Sequence, residues 1–156
     1  MVMEAPIREM RLTMRVLRYW RDIAGKRPFP RVSDLDARAL GEDWQNCLLV
    51  KLRSPLERSF LAYIGSGLRL PGGPAEGIAL AECSPETILA RATSYVSRVL
   101  AQRVPVSMGG SSAQLSGIIL YRSILAPLSE DGRTIDTILG AANYREVQFT
   151  EEEHPD

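Results

Sequence analysis

The most strongly β-patterned stretch of the chain lies late, between residues 117 and 144. Two apolar runs there flank a polar turn, Ser129-Glu130-Asp131-Gly132-Arg133. Asp-Gly between such runs is a strong hairpin signal, because glycine takes the positive φ of a tight reversal at no steric cost. The first run, 118–128, is too long and too apolar for an edge strand. Pro127 cannot donate to a ladder, so pairing is expected to weaken near its end. This hairpin is read as the centre of an antiparallel sheet on which the rest packs.

Residues 6–24 predict a helix closed by Gly25 and then Pro28. At about 100° per residue it carries two apolar stripes rather than one. Ile7, Met10, Met14 and Leu17 form the first; Leu12, Val16, Tyr19 and Ile23 form the second, roughly opposite. A helix lying on a domain needs a single apolar side. Two predict a helix held between its own sheet and another body, most simply the same helix of a second copy, since both stripes have the spacing of a coiled-coil seam. Arg8, Arg11, Arg15 and Arg18 lie between them, as a solvated face or as contacts for an anionic partner.

Residues 26–31, with Pro28 and Pro30, read as an extended connector. Ser33-Asp34-Leu35-Asp36 has capping-box spacing and predicts a short helix through Leu40, stopped at Gly41. Residues 47–52 and 60–64 predict two strands joined as a hairpin around a turn at 54–57, with Leu48, Val50 and Leu52 on one face. Residues 65–77 hold five glycines and two prolines. They lack both the P-loop ending and the dinucleotide fingerprint, and read as an irregular crossover. Ser84, Pro85 and Glu86 then open one long helix as cap, first position and first-turn anion. Its Ile88, Leu89, Ala92, Val96, Val99 and Leu100 face a sheet. A third strand is expected over 104–108, broken or bulged at Gly109-Gly110-Ser111-Ser112. The acidic end, 149–156, is expected to be disordered.

Composition narrows function by exclusion. The 156 residues suit one domain with a real core. Nineteen basic and nineteen acidic residues cancel, so net charge makes no case for nucleic acid or an anionic membrane. No apolar run is long enough for a membrane span, and a cytoplasmic location follows by default. The only histidine is His154, which argues against a histidine triad, a histidine metal site or a histidine-ligated haem. Cys47 and Cys83 lack metal-ligand spacing and are expected to be structural thiols. No cofactor and no metal are implied. Tyr63, Tyr95, Tyr121 and Ser123 are the polar groups placed to line a cavity between the long helix and the sheet, as a ligand pocket or as hydroxyls satisfied within a core.

Several pieces of local wording, in order, resemble the PAS domain, and among its members a bacterial subfamily of short stand-alone proteins. These are Tyr19-Trp20 and Gly25 before Pro28-x-Pro30-Arg31; Ser33-Asp34-Leu35-Asp36-x-Arg38; and Leu48-Leu49-Val50. Ile64-Gly65-Ser66-Gly67-Leu68 follows, then Ala126-Pro127-Leu128-Ser129-x-Asp131-Gly132 running into Ile138-Leu139-Gly140. The resemblance implies an α+β domain over 27–148, a PAS-like five-stranded antiparallel sheet with an N-terminal helix over 1–26; over 71–111 the chain departs from the family, with a glycine-rich loop and one long covering helix in place of the usual short helices around a ligand cavity. It also implies a non-enzymatic sensory or regulatory module acting through protein–protein contact. A homodimer through Ile7, Met10, Met14 and Leu17, an unknown signalling partner and a small ligand are the binding expectations. Two other classes stay open: a small α+β enzyme acting on an apolar substrate, and an anion- or DNA-binding module using the N-terminal arginines.

Overall fold

A computed structural model describes residues 11–69, 73–85, 87–114 and 117–148. Five antiparallel strands form one sheet: β1 Cys47–Lys51, β2 Phe60–Ile64, β3 Val106–Gln114, β4 Gly117–Leu128 and β5 Thr137–Gln148. Their order across the sheet is β2-β1-β5-β4-β3, so the late hairpin supplies the middle strand and its neighbour. Helix α1, Leu12–Ala24, lies on one face; α3, Ile88–Thr93, and α4, Val96–Gln102, lie on the other. The short α2, Ala37–Leu40, precedes β1.

Register defines the two faces, because residues directly opposite on paired strands point the same way. Leu48, Gly140 and Leu125 are opposite one another, as are Val50 and Ile138, and Ala142 and Ser123. That face packs under α3 and α4, with Leu61, Leu89, Val99, Leu125 and Ile138 fully buried. The other face carries Ala126, Leu139 and Leu49 in one row and is covered by α1 through Leu12, Val16, Trp20 and Ala24.

Helix α1 ends as expected at Gly25, whose φ of 61° closes the helix by donating to the Arg21 carbonyl. Ile7 and Met10, and the acidic end 149–156, lie outside the described residues. The connector is laced to the body. The Asp34 carboxylate takes the Arg27 guanidinium and the Arg31 amide, Tyr19 Oη accepts from the Asp36 amide, and the Ser129 amide donates to the Pro30 carbonyl.

Four local expectations are corrected. The segment after Ser33 makes only a 3₁₀ turn over Val32–Asp34. Helix α2 instead starts from Asp36, whose carboxylate accepts the Arg38 amide at 2.9 Å. The long covering helix is two helices. Thr87, not Ser84, caps α3, and the chain breaks at Ser94-Tyr95. Here Thr93 Oγ1 donates to the Leu89 carbonyl at 2.7 Å and Ser94 Oγ to the Arg91 carbonyl at 2.8 Å. Such back-bonding competes with helix continuation. The apolar stripe survives the break, with Ile88, Leu89, Ala92, Val96 and Val99 all buried.

The third correction is β3, which runs unbroken through Gly109 and Gly110 to Gln114. Gly110 is a close approach rather than a break: a Cβ there would lie 2.7 Å from Tyr121 Oη. The fourth is Pro127, which does not weaken the β4–β5 pairing; the register continues through Pro127–Ile138 to Leu128–Thr137. The amide and carbonyl of a strand residue point to the same side. Pro127 turns that side away from β5, and its carbonyl accepts Trp20 Nε1 at 2.8 Å.

The outer edge of β2 is covered by the segment that follows the glycine-rich crossover. Leu61 donates to the Ile78 carbonyl, Gly77 to that of Leu61, and Leu80 to that of Ser59. No described strand pairs with the outer edge of β3.

Candidate functional site

The four polar side chains expected to share a cavity are divided by the sheet. Tyr95 and Ser123 do meet: their hydroxyls are 2.7 Å apart and buried between the α3–α4 break and β4. Burial pushes the Tyr95 phenol up to about 12, against the opposing effect of the Ser123 bond. Tyr121 lies on the same face, two positions before Ser123 in β4 and opposite Tyr144. Tyr63 is opposite Leu49, and so belongs to the other face. Its ring stacks on Trp44 with centroids 4.4 Å apart and planes 12° from parallel, and its hydroxyl donates to the Trp44 carbonyl at 3.0 Å. Alternation within one strand cannot reveal this split; only the pairing of β1 with β2 fixes which way Tyr63 points.

Both thiols are held in the interior. Cys47 donates to the Asp43 carbonyl at 3.3 Å, and burial, then the nearby Asp43 charge, push it up to about 12. Cys83 is buried and raised by burial first; it follows a 3₁₀ turn and is not at a helix start. A thiol held protonated reacts slowly. In a Cys83→Ser variant at mildly alkaline pH, Cys47 should react with Ellman's reagent at least about a hundredfold more slowly in the native state than in urea. A fast native phase would show an accessible thiol instead.

The arginines of α1 do not act as one stripe. Arg15 makes a two-pronged ion pair with Asp43, at 2.7 and 2.9 Å, and this pins α1 to the turn before β1. Arg18 stays on the outer side of the helix, where it lines a shallow depression of about 220 Å³ with Met14, Leu17, Arg21 and Asp22. Met14 is 49 % exposed.

Arg11 belongs to a different place. It lies at the start of α1 and lines a cleft of about 500 Å³ with Leu12, Thr13, Leu120, Tyr121, Arg122, Asn143, Tyr144 and Arg145, over Gly109 and Gly110. The register creates this meeting, since Leu120 is opposite Arg145 and Arg122 opposite Asn143. Neither strand arginine stands out in the sequence alone. The available signal was an arginine within each of two otherwise apolar strands joined as a hairpin.

Among the described residues no group of histidine, cysteine, aspartate and glutamate is placed to hold a metal ion, and no helix is long and apolar enough to cross a membrane.

A family model described as PAS domain matches residues 8–143. Among solved structures, the chain is similar to the light-state structure of the blue-light photoreceptor Aureochrome1 LOV. The identity is 19 %, over 74 % of this chain and 89 % of that one, with a TM-score of 0.44. It is also similar to an RNA-binding Light-Oxygen-Voltage receptor at 18 % identity and a TM-score of 0.38. That match covers 69 % of this chain and 32 % of the receptor, so the chain spans about a third of the receptor's length. No curated protein matches it.

Proposed function

Since the chain belongs to the PAS domain family, we propose that it is a non-catalytic sensory or regulatory module whose output is protein–protein contact through α1, first with a second copy of itself. The observation that carries this reading is the outer side of α1. Its inner side is used up by Leu12, Val16, Trp20 and Ala24, yet Met14 is exposed and, with half-buried Leu17 beside it, leaves an apolar patch on the outer side. Arg18, Arg21 and Asp22 border that patch with both signs of charge, so it can meet itself about a two-fold axis. The helix is no loose appendage. Arg15 ties it to Asp43 and Trp20 ties it to the end of β4, so a change in the sheet moves the docking surface with it. The Tyr95–Ser123 pair supports a structural use of its hydroxyls, since each satisfies the other beneath packed side chains.

Light scattering tests the reading. The natural chain should be a dimer at about 100 µM. A Met14→Asp, Leu17→Asp variant should be a monomer with a dissociation constant raised at least about a hundredfold, while keeping the far-ultraviolet circular dichroism of the folded chain. A natural chain that is already monomeric, or a double variant that still dimerises, would count against the α1 surface.

A further inference from the structure

We propose that the cleft at the start of α1 is a binding site for a small organic anion: a phosphate or carboxylate carried on a compact apolar body. Leu120, Arg122, Asn143 and Arg145 in its lining lie on the face of the sheet opposite Ser123, and the site does not depend on whether α1 pairs with a second copy. Three arginines, Arg11, Arg122 and Arg145, line one space of about 500 Å³, and among the described residues no carboxylate lines it with them. None of the three guanidinium groups makes an ion pair or hydrogen bond among the described residues. Other arginines of this chain do find carboxylates: Arg15 has Asp43, Arg27 has Asp34 and Arg69 has Glu76. In a chain of zero net charge, three unmatched cations in one cleft are a local excess that an anion would relieve.

Two further observations point to a ligand. Thr13 lines the cleft, and its hydroxyl, which has no hydrogen-bond partner among the described residues, is open to solvent there and so within reach of a ligand. Helix α1 also begins with no side-chain cap and no acidic residue in its first turn, so nothing in the described structure complements its positive end. Arginine forks match phosphate and carboxylate oxygens in pairs, and Asn143 adds amide donors. Leu12 and exposed Leu120 supply apolar wall, which selects an anion with a hydrocarbon body over a bare ion. The volume is that of a small-molecule site.

The test titrates the full chain with naphthyl phosphate and with naphthoate, followed by amide NMR shifts and calorimetry; naphthol is the uncharged control. Either anion should bind saturably and shift the amides of Leu12, Thr13, Asn143 and Arg145, with the phosphate the tighter if two charges are read. An Arg122→Gln, Arg145→Gln variant should bind at least about tenfold more weakly at an unchanged thermal midpoint. An Arg58→Gln, Arg98→Gln variant, changed at two exposed arginines outside both the cleft and the outer side of α1, should bind like the natural chain, and naphthol should not bind. The proposal is overturned by equal affinity in the Arg122/Arg145 variant, by shifts confined to α3 and α4, or by no saturable binding of either anion up to about 10 mM.

Discussion

Replacing Trp20 by alanine should destabilise the domain by about 3–5 kcal/mol, a large part of the stability a domain of this size possesses. Two losses combine. The indole is buried between α1 and the sheet, so its removal leaves a cavity that the strands beneath can close only in part. The Pro127 carbonyl also loses its donor, in a strand that continues past the end of β3 and has no neighbour on that side to replace it. Trp20→Phe separates the two effects: the bulk largely remains, and the orphaned carbonyl should cost about 1–3 kcal/mol. Urea denaturation measures both, and the slope should stay unchanged while the midpoint falls. If alanine and phenylalanine were equally mild, α1 would not be seated on the sheet as described.

Gly140→Ala should also destabilise, by about 1–3 kcal/mol, although glycine to alanine within a strand is ordinarily favourable by about 0.5–1 kcal/mol. The sign reverses because of what lies above the residue. Gly140 is in the middle strand, and a methyl group there would come 2.6 Å from Leu48 Cδ1 and 2.9 Å from Leu125 Cδ2. Both leucines are fully buried and have no free space to swing into. A Leu125→Ala background removes one of the two obstructions, so the cost of the added methyl should shrink there, and the two changes should be markedly non-additive. A stabilised single variant would mean that the core above β5 is looser than the packing indicates.

Much of the fold could be read from one-dimensional pattern, and the failures share a cause. β1, β2, β4 and β5 carry alternation or apolar runs that any paired strand would show. The Gly25 stop of α1 and the Gly132 reversal, with φ of 61° and 78°, follow from local chemistry. β3 was cut short at Gly109 because glycine signals a break. What carries the strand through is its unbroken pairing with β4, with the Tyr121 ring over Gly110, and no local signal contains either. The α3–α4 break was missed because Val96 and Val99 continue the apolar period across it. The competing hydrogen bonds of Thr93 and Ser94 override that period.

The candidate sites divide along the same line. Tyr95 and Ser123 could be brought together from sequence because each sits on the inward side of its own element. Tyr63 could not be placed, because its direction depends on the β1–β2 register. Arg122 and Arg145 become neighbours only through the β4–β5 pairing and only matter once α1 supplies Arg11. Of the row Ile7, Met10, Met14 and Leu17 that spacing suggests on α1, only the last two are among the described residues, Met14 exposed and Leu17 half-buried.

The two borders of the sheet differ in a way that governs how copies of this chain can add to one another. The hydrogen-bonding row on the β2 side is already occupied by residues 77–80 of the same molecule, whereas no described strand takes up the row on the β3 side. A sheet with one sealed border and one open border can be lengthened once, head to head, and then presents two sealed ends. Edge-to-edge growth into a filament is thereby terminated after a single addition, and the sealing is done by the residues just after the crossover that the sequence marks only as glycine- and proline-rich.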